Sequence, residues 1–320
     1  MPNLRDGFRR FLFTPQSTAW LSVLRVGLGL QVFFYTVSLR SDWIELLAEG
    51  NRGLIRRDLM EALLSVESPL IPRVGWIVEA GGWLHLSETN VLWLLWGGLL
   101  LASLFLILGL FCRTVSIVAW ILFLCTAKSA EPFGYGVDNF TVIGLFYLVI
   151  APLPDAWSID AWWRRISLKS SSLQGLHRRV LQLHICIIYF FSGFAKCAGP
   201  GWWNGTSLWR ALTRPPFDII PPDILIRLGF VLPVLGIVVC VMEATYPVCI
   251  WPRKTRLIWF VGVLALHAGI GVMMGMYLFA WVMIVLNVAA FGPEFAFEVP
   301  KFSFIVSPIQ SRPNRLAPRK

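Results

Sequence analysis

Long apolar runs, separated by short polar segments rich in Pro and Gly, set the pattern of this chain. An α-helix needs roughly 20 apolar residues to cross the hydrocarbon core of a bilayer. Candidate spans lie near 19–39, 91–111, 114–128, 137–152, 180–197, 229–251, 257–275 and 276–292, the third and fourth being short for the task. Almost nothing separates the last two, which places their turn at Gly275. Residues 40–90 differ in character. Apolar and charged residues alternate at helical spacing over 54–64, and 74–84 are apolar and Gly-rich, with Pro69 and Pro72 between them. This predicts two short helices lying on the outer surface or capping the bundle. The segment after 196, Cys-Ala-Gly-Pro-Gly-Trp-Trp, reads as a tight turn with aromatic anchors.

Composition agrees. The chain is 57% hydrophobic and 14% charged, against about 25% charged in soluble domains. The fold class is therefore all-α, a polytopic bundle of about eight transmembrane helices. A formal charge of +10 is in the range of nucleic-acid binders, but its distribution along the chain is not. With the N-terminus placed in the cytoplasm, the inner segments sum to +12 and the outer ones to −2. That alternation follows the positive-inside rule, puts both ends inside, and leaves no need for a nucleic-acid partner. The first apolar run carries Arg25 and no small-residue cleavage site follows, so it reads as a retained helix rather than a signal peptide. Domains divide into a lead at 1–18, the transmembrane part at 19–292 and a basic tail at 293–320 that reads as disordered.

The six Cys show neither C-x-x-C nor zinc spacing, and no metal is expected. Cys112, Cys125, Cys186, Cys240 and Cys249 sit in or beside apolar runs and read as buried small hydrophobes. Cys197 adjoins a lysine of interest.

Ionisable side chains within a span are functional candidates by default. Here they are Arg25, His184, Lys196, Glu243 and His267, with Asp138 and Asn139 opening the fourth span. Charge-derived topology places Lys196, Asp138 and Asn139 at the outer boundary and His267 near mid-depth, so that they can meet in one outward-facing pocket. Glu243 lies deeper and is expected to pair with Arg25, either as glue between helices or as an ion relay. On the fifth span, Gln182, Tyr189 and Lys196 recur every seven residues and share a stripe, with Ser192 and Gly193 beside it. An amide, a phenol, a hydroxyl and an amine on one face of an apolar helix belong against a cavity. His184 points away from this stripe. Desolvation favours a neutral amine, which can take a proton from a weak acid. The bland alternative for Lys196 is a side chain reaching to the interface.

The stretch Tyr189-Phe-Phe-Ser-Gly-Phe-Ala-Lys196, followed by Trp202 and Gly205, resembles the signature of vitamin K-dependent γ-carboxylases and of the related bacterial HTTM (horizontally transferred transmembrane) proteins. His267 with Phe279-Ala-Trp-Val-Met, Gly136-Val-Asp138 and Arg178-Arg179 fit the same pattern, and the resemblance spans roughly 15–295. It implies a bacterial cytoplasmic-membrane protein. It also implies Lys196 as base toward reduced vitamin K or menaquinol, with His267 as a second catalytic residue. Tyr189, Ser192, Asp138, Asn139 and Trp202 would shape the substrate pocket. The carboxylase has a histidine where this chain has Asn139, and a large domain after its membrane part that has no counterpart here. Peptide carboxylation by this chain alone is therefore not expected. The leading expectation is a membrane enzyme acting on a quinol or similar lipid-soluble substrate. The alternatives are a non-catalytic factor for maturation or export of a small peptide, with a peptide or separate soluble partner, and an ion-coupled transporter. No internal repeat supports the last.

Overall fold

The computed structural model describes residues 4–49, 57–166 and 168–292. The predicted tail at 293–320 lies outside the described residues, as does the start of the predicted helix at 54–64. The described residues contain no strand, only one antiparallel bridge between Gln16 and Ser171. Helices follow in the order α1 (Leu4–Phe13), α2 (Ala19–Ser38), α3 (Trp43–Leu47), α4 (Arg57–Glu67), α5 (Val74–Trp83), α6 (Glu88–Leu108), α7 (Cys112–Ser129) and α8 (Gly136–Ile150). Next come α9 (Ile159–Trp163), α10 (Ser172–Ala198), α11 (Pro200–Trp203), α12 (Thr206–Thr213), α13 (Pro222–Arg227), α14 (Leu232–Cys249), α15 (Arg253–Met274) and α16 (Tyr277–Phe291).

Six of these, α2, α6, α7, α10, α14 and α15, are long and apolar enough to cross a bilayer. The chain is a multi-pass membrane protein built as an all-α bundle. The apolar helices α8 and α16 have 15 residues each, or about 22 Å at 1.5 Å per residue. Short helices are tolerated where protein rather than lipid surrounds their ends. Most of α16 is buried against α2, α8, α10 and α15. Contacts between helix ends fix how several of these helices run against one another. Arg113 on α7 reaches the end of α8 at Ala151 O, 2.7 Å away. Arg178 on α10 binds the last carbonyls of α16, and Val74 N donates to Ser129 Oγ where α7 ends. Gly275, with φ +68°, ends α15 where the sequence placed the turn.

The outer segment holds α3, α4 and α5, one helix more than expected. The chain after Lys196 turns through the single helical turn of α11, and beyond it, where no helix was expected, lie α12 and α13. Its prolines do not break helices, because Pro200 and Pro222 occupy first positions, where a missing N–H costs nothing. At the opposite, basic end, α1 packs on α10, with Phe11 under the Arg179 guanidinium at 4.5 Å.

Four buried charged residues tie this basic end. Arg25, fully buried, pairs with Asp155 in the loop after α8, Nε to Oδ2 2.5 Å and Nη2 to Oδ1 3.1 Å. It also donates to the Leu106 and Ile107 carbonyls. These are orphan acceptors at the C-terminus of α6, where a cation is favoured. Asp160 accepts from Phe111 N and Cys112 N at the start of α7, the complementary arrangement. Arg178 closes α16 in the same manner.

On the outer segment, Glu61 is held above the ordinary carboxylate range. Burial raises it, and outweighs the lowering by Arg57 and Arg73. A raised carboxyl contributes stability that is full below its unfolded value and is lost as pH rises through its folded value. Glu61→Gln is therefore expected to flatten the fall in melting temperature on going from acid to neutral pH. Parallel melting curves for variant and wild type across that range would contradict it.

Candidate functional site

Helix α10 is two-faced in the sense expected of a span against a polar site. Ile187, Phe190, Phe191 and Phe194 are exposed on its outer side. Gln182, Tyr189 and Gly193 are buried on the other, about four, two and one turns before Lys196. Gly193 lets α14 come into backbone contact, because a Cβ there would lie 2.2 Å from Ala244 N. Gly193→Ala is expected to destabilise the bundle by about 1–3 kcal/mol through overpacking. An unchanged melting midpoint in detergent would show that these helices stand further apart.

This crossing sets the partner of Lys196. Its Nζ donates to Ser192 Oγ at 2.5 Å and to Glu243 Oε2 at 2.6 Å. The lysine side chain is 21% exposed and the glutamate 7%. Trp202 of α11 places its ring 5.4 Å from the amine. The expected Arg25–Glu243 pair is thus corrected. Glu243 faces α10 while Arg25 is committed to Asp155, and each buried charge has found a nearer partner. The ion relay proposed for a transporter loses its geometry with that pair.

One layer deeper, four helices contribute a continuous hydrogen-bonded chain. Tyr246 of α14 donates to Asn287 Oδ1 at 2.8 Å. Asn287 of α16 donates through Nδ2 to Tyr189 OH at 2.9 Å, and Tyr189 meets His267 Nε2 of α15 at 2.6 Å. All four residues are buried. With Asn287 donating to the phenol oxygen, the arrangement that gives the Tyr189 proton an acceptor is donation to Nε2, with the His267 hydrogen on Nδ1. That Nδ1 is buried and has no hydrogen-bond partner among the described residues. An unsatisfied buried donor costs about 1–3 kcal/mol. Lys196 lies within electrostatic reach of His267, and Glu243 within that of Tyr189. The layers form one neighbourhood.

Asp138 and Asn139 are not part of it, which corrects the single shared pocket. Asp138 accepts from Tyr35 OH at 2.5 Å and from Tyr135 N at 2.9 Å. Burial and the Asp138 charge hold the Tyr135 phenol above its ordinary value. Both residues line a separate cavity of about 270 Å³ with Lys128 and Glu131, between α7 and α8. The link from α8 to His267 is aromatic only: Phe279 stands 5.8 Å from the imidazole and 6.0 Å from Phe140. His184 bonds Tyr147 at 3.0 Å, apart from the stripe. Gln182 is spent on the Ala290 carbonyl, a helix end.

Sequence reasoning missed Asn287 and Tyr246. The signal was available, since Asn287 is an amide inside the most apolar of the helices, and amides there bond across helices. As chemistry, the site offers an amine–carboxylate pair, a hydroxyl, and an imidazole N–H seeking an acceptor. Apolar helices surround these groups, with Lys196 partly open to the outside. Among the described residues there is no cluster of His, Cys, Asp or Glu that could hold a metal ion.

A family model described as the HTTM domain matches residues 79–294, about two thirds of the chain. No curated protein and no solved structure matches it.

Proposed function

The chain belongs to the HTTM-domain family, and from that premise we propose that it is a membrane enzyme acting on a quinol, such as reduced vitamin K or menaquinol, or a similarly lipid-soluble substrate. One observation carries this reading. Inside apolar helices, the partly exposed Lys196 amine is held by Ser192 and Glu243, near a His267 whose buried Nδ1 has no partner among the described residues. A quinol oxygen is the partner that nitrogen lacks, and a quinol hydroxyl is a weak acid within the range of an amine base. Ser192 and Glu243 hold the amine in place, and Trp202 lies beside it. Lys196 is the base toward the quinol hydroxyl. Tyr189, locked by Asn287, holds the imidazole in one tautomer.

The overall reaction is quinol plus oxygen giving quinone epoxide plus water. Any glutamate or peptide substrate would come from a separate chain, and the setting would be the outer side of a bacterial cytoplasmic membrane. The test is purified protein in detergent with menaquinol and oxygen, beside a quinol of the same head group without its isoprenoid tail. Epoxide from the tailed quinol is expected, with much less from the tailless one. If folded protein yields no epoxide from either, the enzyme reading falls, and a membrane factor that copurifies with a small peptide takes its place.

A further inference from the structure

Two cysteines stand across the α10–α14 crossing, and their placement follows from backbone geometry. Antiparallel helices pair residues whose numbers move in opposite directions. One close approach brings Gly193 against Glu243 and Ala244, and a second brings Trp202 against Gly236, where a Cβ would lie 2.1 Å from Trp202 O. Cys197 of α10 and Cys240 of α14 fall between these two contacts, one turn from each. The backbone contacts therefore set the two thiols facing each other across the crossing, within electrostatic reach of Lys196 and Glu243. Both are free; Cys240 is fully buried and Cys197 only partly. Disulfides need Cα atoms about 4.4–6.8 Å apart, which only backbones in near contact provide. Glycines at both flanking layers supply that contact.

We propose that Cys197 and Cys240 form a reversible dithiol site that takes a small-molecule disulfide as oxidant and closes into a bridge between α10 and α14. The more exposed Cys197 is the entry thiol. Its thiolate attacks one sulfur of oxidised glutathione. A protein–glutathione bond forms, the glutathione disulfide breaks, and the departing thiolate takes up the proton that Cys197 lost. Cys240 then attacks the Cys197 sulfur and releases the second glutathione in the same way. Two protein thiols are oxidised and one small disulfide is reduced. The site lies at the end of the bundle away from the basic loops, which the charge pattern assigns to the oxidising exterior, where such bridges persist. It is independent of the quinol reading.

The test uses the wild-type full chain in detergent, equilibrated with oxidised glutathione, quenched in acid, unfolded and labelled at free thiols. The six thiols are expected to fall to about four, with a peptide joining residues 197 and 240, and to return to six with a reducing dithiol. Cys197→Ser and Cys240→Ser should each abolish the bridged peptide. Six free thiols after oxidation, glutathione left on Cys197 without a bridge, or a bridge through other cysteines would each overturn the proposal.

Discussion

Arg25→Ala is expected to destabilise the bundle by about 3–5 kcal/mol, the cost of leaving a buried charge without its partner. Asp155 would stay at 0% exposure with its guanidinium gone, the Ile107 carbonyl would lose the guanidinium as donor, and the Leu106 carbonyl would keep only Gly109 N. A double-mutant cycle separates the pairings. Arg25→Ala with Asp155→Ala should cost less than the sum of the two, by a coupling of about 0.5–3 kcal/mol. Arg25→Ala with Glu243→Gln should be additive, because Glu243 belongs to Lys196. Denaturant or thermal unfolding in detergent reads both. Coupling of Arg25 to Glu243, and none to Asp155, would reverse the assignment.

The second large effect is chemical. Lys196→Ala is expected to lower quinol turnover by about 10²–10⁴-fold, the usual range for a positioned general base. Because alanine leaves Glu243 unpaired, Lys196→Gln is the better-behaved companion: it can still donate to Ser192 and Glu243 but carries no base. Both should lose turnover, and a small exogenous amine should restore part of it in the alanine variant only. Loss in Lys196→Ala with full activity in Lys196→Gln would make the lysine a structural prop.

The spans were legible because hydropathy and length alone decide what crosses a bilayer. The α10 stripe was legible because helical period alone decides which residues share a face. Pairing between helices was not. Period fixes the face of Glu243 on α14 but says nothing of which helix lies opposite, and depth alone made Arg25 look like its partner. Asp155 was passed over because it sits in a loop after α8 rather than within a run. The shared pocket failed for a similar reason: Asp138 has the right depth but points to Tyr35. The short helices after Lys196 were not legible because the Pro and Gly there signal a turn, although Pro at a first helical position also starts a helix.

The account stands most directly on epoxide formed from menaquinol under oxygen, wild type beside Lys196→Ala, each checked for an intact fold by its melting curve. Epoxide from wild type, with the variant at about one hundredth of it or less, is the predicted result. Equal epoxide from two folded proteins would contradict Lys196 as the base.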